Sequence, residues 1–204
     1  TVLPLTRSIS STITSSTVPN VSYEKLLKSD VDTDFSYSLL VDIQKRDEIY
    51  RQFLTEDLMI LSEVLSVLNL NKGEKIIAKD EEATFCGIVL HGNFQAIVSP
   101  TLTVNLSTGS LVGEMALFEG GYRNADIITT EPSIIGVITF EELANLGTTE
   151  PRLQQQLYWL FAVASIRKLR KMVNPQFEME KAKKELELSA SAIVRNKREL
   201  LYRA

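Results

Sequence analysis

Between Gly113 and Ala125 the chain reads GEMALFEGGYRNA, a segment with one internal carboxylate at its start and one arginine near its end. A glycine at 113 lets a ligand approach the backbone closely. The apolar run Met115-Ala116-Leu117-Phe118 behind it is a short helix candidate. Its first N–H groups would have no partner inside the helix, and its dipole would favour an anion. Gly120-Gly121 ends that turn and swings the chain back. Arg123 would then face the helix start, able to give charge-assisted hydrogen bonds to phosphate oxygens. Glu114 would repel phosphate unless it points elsewhere, and a sugar hydroxyl would satisfy it as a donor. Phosphate on Arg123 and a hydroxyl on Glu114 describe a nucleotide whose phosphate and ribose lie side by side. The plain alternative is a structural ion pair between the two side chains.

Such a segment needs a rigid frame, and strand-like runs surround it. They are EKIIAK (74–79), TFCGIVLH (84–91), FQAIVS (94–99), LTVNL (102–106), DIITT (126–130) and IIGVIT (134–139), with turn residues between them. Close spacing of this kind points to a sandwich, roll or barrel. Residues 1–22 form a Ser/Thr-rich arm, and residues 23–70 read as helical. Thr55, followed by Glu56 and Asp57, is placed to cap a fresh helix. Residues 71–150 hold the strands. Helix returns after Phe140, breaks at Glu150-Pro151, and runs on to about Val173, apolar on every face in its middle. Residues 151–204 are therefore C-terminal helices, and positions from Met179 to Leu200 suggest a weak heptad seam. The expected fold is α+β: an antiparallel, jelly-roll-like β-roll with helices before and after it.

Charge is divided along the chain. Residues 1–150 carry 10 basic and 21 acidic side chains, and residues 151–204 carry 12 and 5. The overall charge of −4 argues against a general nucleic-acid binder. Arg167-Lys168-Leu169-Arg170-Lys171 reads equally as a docking patch or as a solvated helix end complementing its own dipole. One cysteine excludes an internal disulfide, which suits a reducing, cytoplasmic compartment or the cytosolic part of a larger protein. No apolar run is long enough to span a bilayer.

Catalytic chemistry finds little support. Cys86 and His91 lie five apart on one expected strand and so face opposite sides. A single histidine and a single cysteine offer no metal cluster. The expectation is a protein without catalytic residues, metal or cofactor.

The cassette itself resembles the cyclic nucleotide-binding domain family, whose phosphate-binding motif runs roughly Phe-Gly-Glu-Leu-Ala-Leu and then Pro-Arg-x-Ala. Here the matching residues are Val112-Gly113-Glu114-Met115-Ala116-Leu117 and Tyr122-Arg123-Asn124-Ala125. The resemblance covers about residues 55–150. It implies that Arg123 binds the cyclic phosphate and Glu114 the ribose 2′-hydroxyl. Gly113, Met115, Ala116, Asn124 and Ala125 would shape the pocket or offer N–H groups. It also implies a base lid from the helix after the roll, where Tyr158, Trp159 and Phe161 are the candidates, or a residue further along. The ligand would be cAMP or cGMP. Val112, Ser110, Tyr122 and Asp126 depart from the family pattern, and alternation turns Asp126 outward if Ala125 points in.

The function expected is that of a sensor, coupled through its C-terminal helices to a protein partner or a linked effector domain, with homo-oligomerisation through those helices as a further option. Two alternatives stand beside it. One is a ligand-free scaffold of the same fold. The other is a catabolite-activator-like DNA-binding regulator, suggested by LELSASAIVR (Leu186 to Arg195) and weakened by the short tail and by Glu187 at the turn position.

Overall fold

The computed structural model describes residues 33–173 and residue 183. The arm over 1–22, the first ten residues of the helical region, the Met179–Leu200 seam and the Leu186–Arg195 segment lie outside them, residue 183 excepted. Helix α1 (Thr33–Arg46) and a 3-10 turn (Glu48–Tyr50) lead into α2 (Thr55–Val64). Asp47 starts the turn by accepting the Ile49 amide. Thr55 does not cap α2. The cap position is Leu54, and the Asp57 carboxylate accepts its backbone N–H. Arg152 reaches the same carboxylate at 3.3 Å.

Eight strands follow: β1 (Ser66–Leu70), β2 (Lys75–Ile77), β3 (Phe85–His91), β4 (Asn93–Ser99), β5 (Leu102–Ser107), β6 (Leu111–Val112), β7 (Asp126–Thr129) and β8 (Ser133–Thr139). They make two four-stranded sheets, ordered β1-β8-β3-β6 and β2-β7-β4-β5, with every pair antiparallel. Helix α3 (Met115–Glu119) interrupts the strands. Helices α4 (Phe140–Thr149) and α5 (Pro151–Val173) close the described chain. Thr139 and Glu142 cap α4 reciprocally: Oγ1 accepts the Glu142 amide and Oε2 accepts the Thr139 amide. The fold is thus the expected α+β roll with helices on either side.

Two apolar clusters hold it. One lies between the two sheets and contains Leu68, Ile77, Val89, Phe94, Val112, Ile127 and Ile135. The other lies between the first sheet and the helices and contains Leu40, Tyr50, Phe53, Leu61, Cys86, Ile88, Leu90, Leu143, Leu157 and Phe161. Strand β3 feeds both, with Cys86, Ile88 and Leu90 on the helical side and Val89 on the other. That explains why FCGIVLH is an almost unbroken apolar run: alternating side chains meet a core on either face.

The helical reading of residues 23–70 fails at its end, where Ser66–Leu70 is strand β1. Val67 joins the helical-side cluster and Leu68 the roll cluster, so this stretch is apolar on both faces and mimics helical spacing. Five consecutive partners on β8, from Ser66↔Val137 to Leu70↔Ser133, decide the matter. Helix α5 also departs from expectation. Leu153, Leu157, Leu160, Phe161 and Ala164 are buried, while Trp159, Ile166, Leu169 and Val173 leave an exposed apolar face.

Candidate functional site

The site grows from β6 and its continuation. Leu111 enters the helical-side core and Val112 the roll core, which anchors the chain just before Gly113. Gly113 has φ +75°, a left-handed conformation that an L side chain rarely adopts. The short α3 then begins at Met115 and ends on Gly120, also left-handed. The return segment is stitched to the β2–β3 connection. Ala83 donates to the Gly121 carbonyl, Arg123 to Glu81, and Asp80 to the Arg123 carbonyl. These backbone bonds fix where the Arg123 side chain starts.

Arg123 is 5% exposed. Its Nη2 donates to the Phe85 carbonyl at 2.8 Å and its Nη1 to the Gly113 carbonyl at 3.3 Å. The guanidinium stacks on the Phe85 ring, 4.5 Å from its centroid. Burial pulls its pKa down from the ordinary guanidinium value to about 10, against the opposing influence of Cys86 and Glu81. It remains a cation at neutral pH. Among the described residues no carboxylate lies within salt-bridge distance of it. Two of its five N–H donors are used by carbonyls.

Glu114 is deeper still, at 1% exposed. It does not pair with Arg123. Lys168 of α5 takes that place, with Nζ 2.7 Å from Oε1 and 2.9 Å from Oε2. Ser165, one turn earlier on the helix, donates to Oε1 at 3.4 Å. The structural ion pair between the cassette's own charges is therefore absent, and a different one ties the cassette to α5.

Gly113, Glu114, Met115, Ala116, Arg123, Asn124 and Ala125 together line one cavity of about 170 Å³. Apolar side chains of the roll, including Ile77, Ala96, Val104, Leu106 and Ile127, form its floor, and Lys168 and Met172 of α5 complete its wall. Asn124 donates to the Met115 sulfur at 3.6 Å. Ala125 is buried while Asp126 turns away to Lys75, 3.1 Å off, and to the Lys79 amide.

None of the three aromatic lid candidates lines this cavity. Phe161 is 1% exposed inside the helical-side core, Tyr158 packs against that core, and Trp159 is 47% exposed. The α5 residues at the cavity are Lys168 and Met172, two to three turns further on. In the sequence Lys168 is one member of the basic run Arg167–Lys171, and Met172 directly follows that run. The spacing of four between them was a usable signal, since it sets both on one helix face. Within that run Arg167 turns back to Asp47 and Glu48, while Arg170 and Lys171 are exposed.

Cys86 is buried, and burial first, then the charge of Glu114, pushes its thiol up to about 12 against the influence of Arg123. His91 lies exposed at the other end of β3. Among the described residues no group of His, Cys, Asp and Glu could hold a metal ion, and no helix is long and apolar enough to cross a membrane.

The strands and the cassette are the part of the chain that resembles a known family. Residues 67–150 match the cyclic nucleotide-binding domain family. Solved structures carry the same fold beyond that span. A cyclic nucleotide-binding domain from Methylobacillus flagellatus KT aligns at 15% identity and a TM-score of 0.61, covering 76% of this chain and 97% of that one. A structure of Sp-2Cl-cAMPS bound to PKAR CBD2 aligns at 20% identity and 0.51, covering 70% and 94%. The catabolite activator protein of Thermus thermophilus aligns at 19% and 0.51, covering 71% of this chain and 63% of its own length. At these identities the likeness is one of fold. No curated protein matches the chain by sequence. Within the matched residues, the quoted cassette is the segment around the 170 Å³ cavity.

Proposed function

We propose that this chain is a cyclic nucleotide sensor without catalytic chemistry of its own, which passes ligand binding to a protein partner or a linked effector domain through α5. One observation carries the reading. A buried guanidinium, charged at neutral pH and without a carboxylate partner among the described residues, lines a cavity beside the first turn of α3. Burying an unpaired cation is costly, and a phosphate in that cavity would compensate it. The first-turn N–H groups of α3 add a favourable field.

Coupling follows from the cavity wall. Lys168 and Met172 belong to the helix that leaves the domain, so a ligand that alters their positions shifts the population of α5 placements. The test is calorimetric titration of the full chain with cAMP and with cGMP. Micromolar or tighter binding to either supports the sensor, and Arg123→Ala should weaken it by roughly 1.5–3 kcal/mol. Absence of heat with both nucleotides, under conditions where the protein is folded, rejects it.

A second reading has its own observation. Glu114 is already paired with Lys168, and Arg123 already bonds two carbonyls. A ligand-free scaffold of this fold needs no more than that, and the same titration separates the two.

A further inference from the structure

The contacts of Lys168 bear on what part of a nucleotide this cavity reads. An ammonium has three N–H donors. Here the three acceptors around Nζ are Oε1 of Glu114 at 2.7 Å, Oε2 at 2.9 Å and the Leu111 carbonyl at 2.7 Å. The ammonium is thus saturated by protein. Glu114 holds three of these donor contacts, with Ser165 as a second donor to Oε1, and with only 1% of the residue exposed its remaining acceptor position is closed to solvent.

A neutral sugar hydroxyl arriving at this carboxylate meets a buried site already held by Lys168 and Ser165. To bond Glu114 it must displace a charge-assisted contact, which is the stronger kind. Displacement would also strand the ammonium, whose side chain is only 20% exposed, and leave the Leu111 carbonyl without it. The hydroxyl has nothing of equal strength to offer in exchange.

We propose that Lys168 stands in for the sugar hydroxyl at Glu114, so that the site selects a cyclic phosphodiester without reading the ribose 2′-position. This rests on the nucleotide reading of the site. Arg123 then carries recognition of the phosphate, and Lys168 determines which sugars are admitted: ribose and 2′-deoxyribose alike.

The test compares cAMP and cGMP with their 2′-deoxy analogues by calorimetry, on the wild-type chain and two variants. The wild type should bind the ribo and deoxy forms of its preferred nucleotide within about threefold of each other, less than one hydrogen bond to a charged acceptor is worth. Lys168→Met frees the carboxylate and should create a preference for the ribo form of at least about tenfold. Glu114→Gln, which removes the charge that Lys168 neutralises, serves if Lys168→Met does not fold, and it should leave the small wild-type ratio unchanged. A tenfold or larger ribo preference in the wild type, or its erasure by Glu114→Gln, overturns this proposal alone. Failure of the wild type to bind any of the four nucleotides overturns it together with the sensor reading.

Discussion

A Cβ on Gly113 would lie 2.4 Å from Nη1 of Arg123 and 3.1 Å from Cδ1 of Ile77. The glycine is thus the space into which the arginine folds, besides being the turn that its φ of +75° requires. Gly113→Ala should push the guanidinium off both of its carbonyls. The expected outcome is a loss of about 1–3 kcal/mol in stability from strain and lost hydrogen bonds. Nucleotide affinity should fall at least as far as in Arg123→Ala. Urea denaturation and titration on one sample check both, and an alanine variant with native affinity would separate the glycine from the site.

Asp57 gives a second test, remote from the cavity. It is buried, accepts the Leu54 amide at the start of α2, and meets Arg152 at the start of α5. Asp57→Ala should cost about 0.5–2 kcal/mol, mostly as a lost cap. Arg152→Ala should cost much less, because that arginine is half-exposed and exposed pairs are weak. Thermal melts of the two variants give the order.

Tyr50 donates its hydroxyl to the Gly109 carbonyl at 2.7 Å, across 59 residues of sequence and with both groups buried. Burial, reinforced by the charges of Asp47 and Glu114, raises the phenol above its ordinary pKa of 10.0. Tyr50→Phe keeps the ring and strands the carbonyl, for an expected cost of about 1–3 kcal/mol. Equilibrium unfolding measures it directly.

Asp126 sets an acid limb. Its burial would raise the pKa, but the Lys79 amide and then Lys75 outweigh it, and the net direction is below 3.8. A carboxyl held low in the folded state contributes stability that is complete at neutral pH. That contribution is lost as pH falls below 3.8 toward the folded-state value. Asp126→Asn should therefore flatten the decline in unfolding free energy below about pH 4. Urea midpoints taken from pH 3 to 7 would show it, and an unchanged slope would remove Asp126 from the account.

Much of this fold can be read from the chain because its signals are local. Six strand runs bounded by turn residues, the break at Pro151 and the cassette spacing all survive in the structure with small shifts at their ends. What escaped had no local signature. Strand β6 is two residues long and exists only because Gly87 and Ile88 pair with Val112 and Leu111. Strand β1 is apolar on both faces, so its period could not be told from a helix. The partner of Glu114 is 54 residues away in sequence, and one lysine in a run of four cations carries no mark of being the one that turns inward. The aromatics of α5 stand out by residue type, whereas position along the helix determines which side chains reach the cavity.

Strand β3 has a consequence for how the domain comes apart. Its residues alternate between the helical layer and the interior of the roll, and Phe85 at its head supplies both a carbonyl and a ring to Arg123. The two layers therefore share a wall, and neither can melt while the other keeps its packing. Heat should dissolve them in one cooperative step, and an anion gripped at Arg123 should raise the melting temperature of helices it never touches.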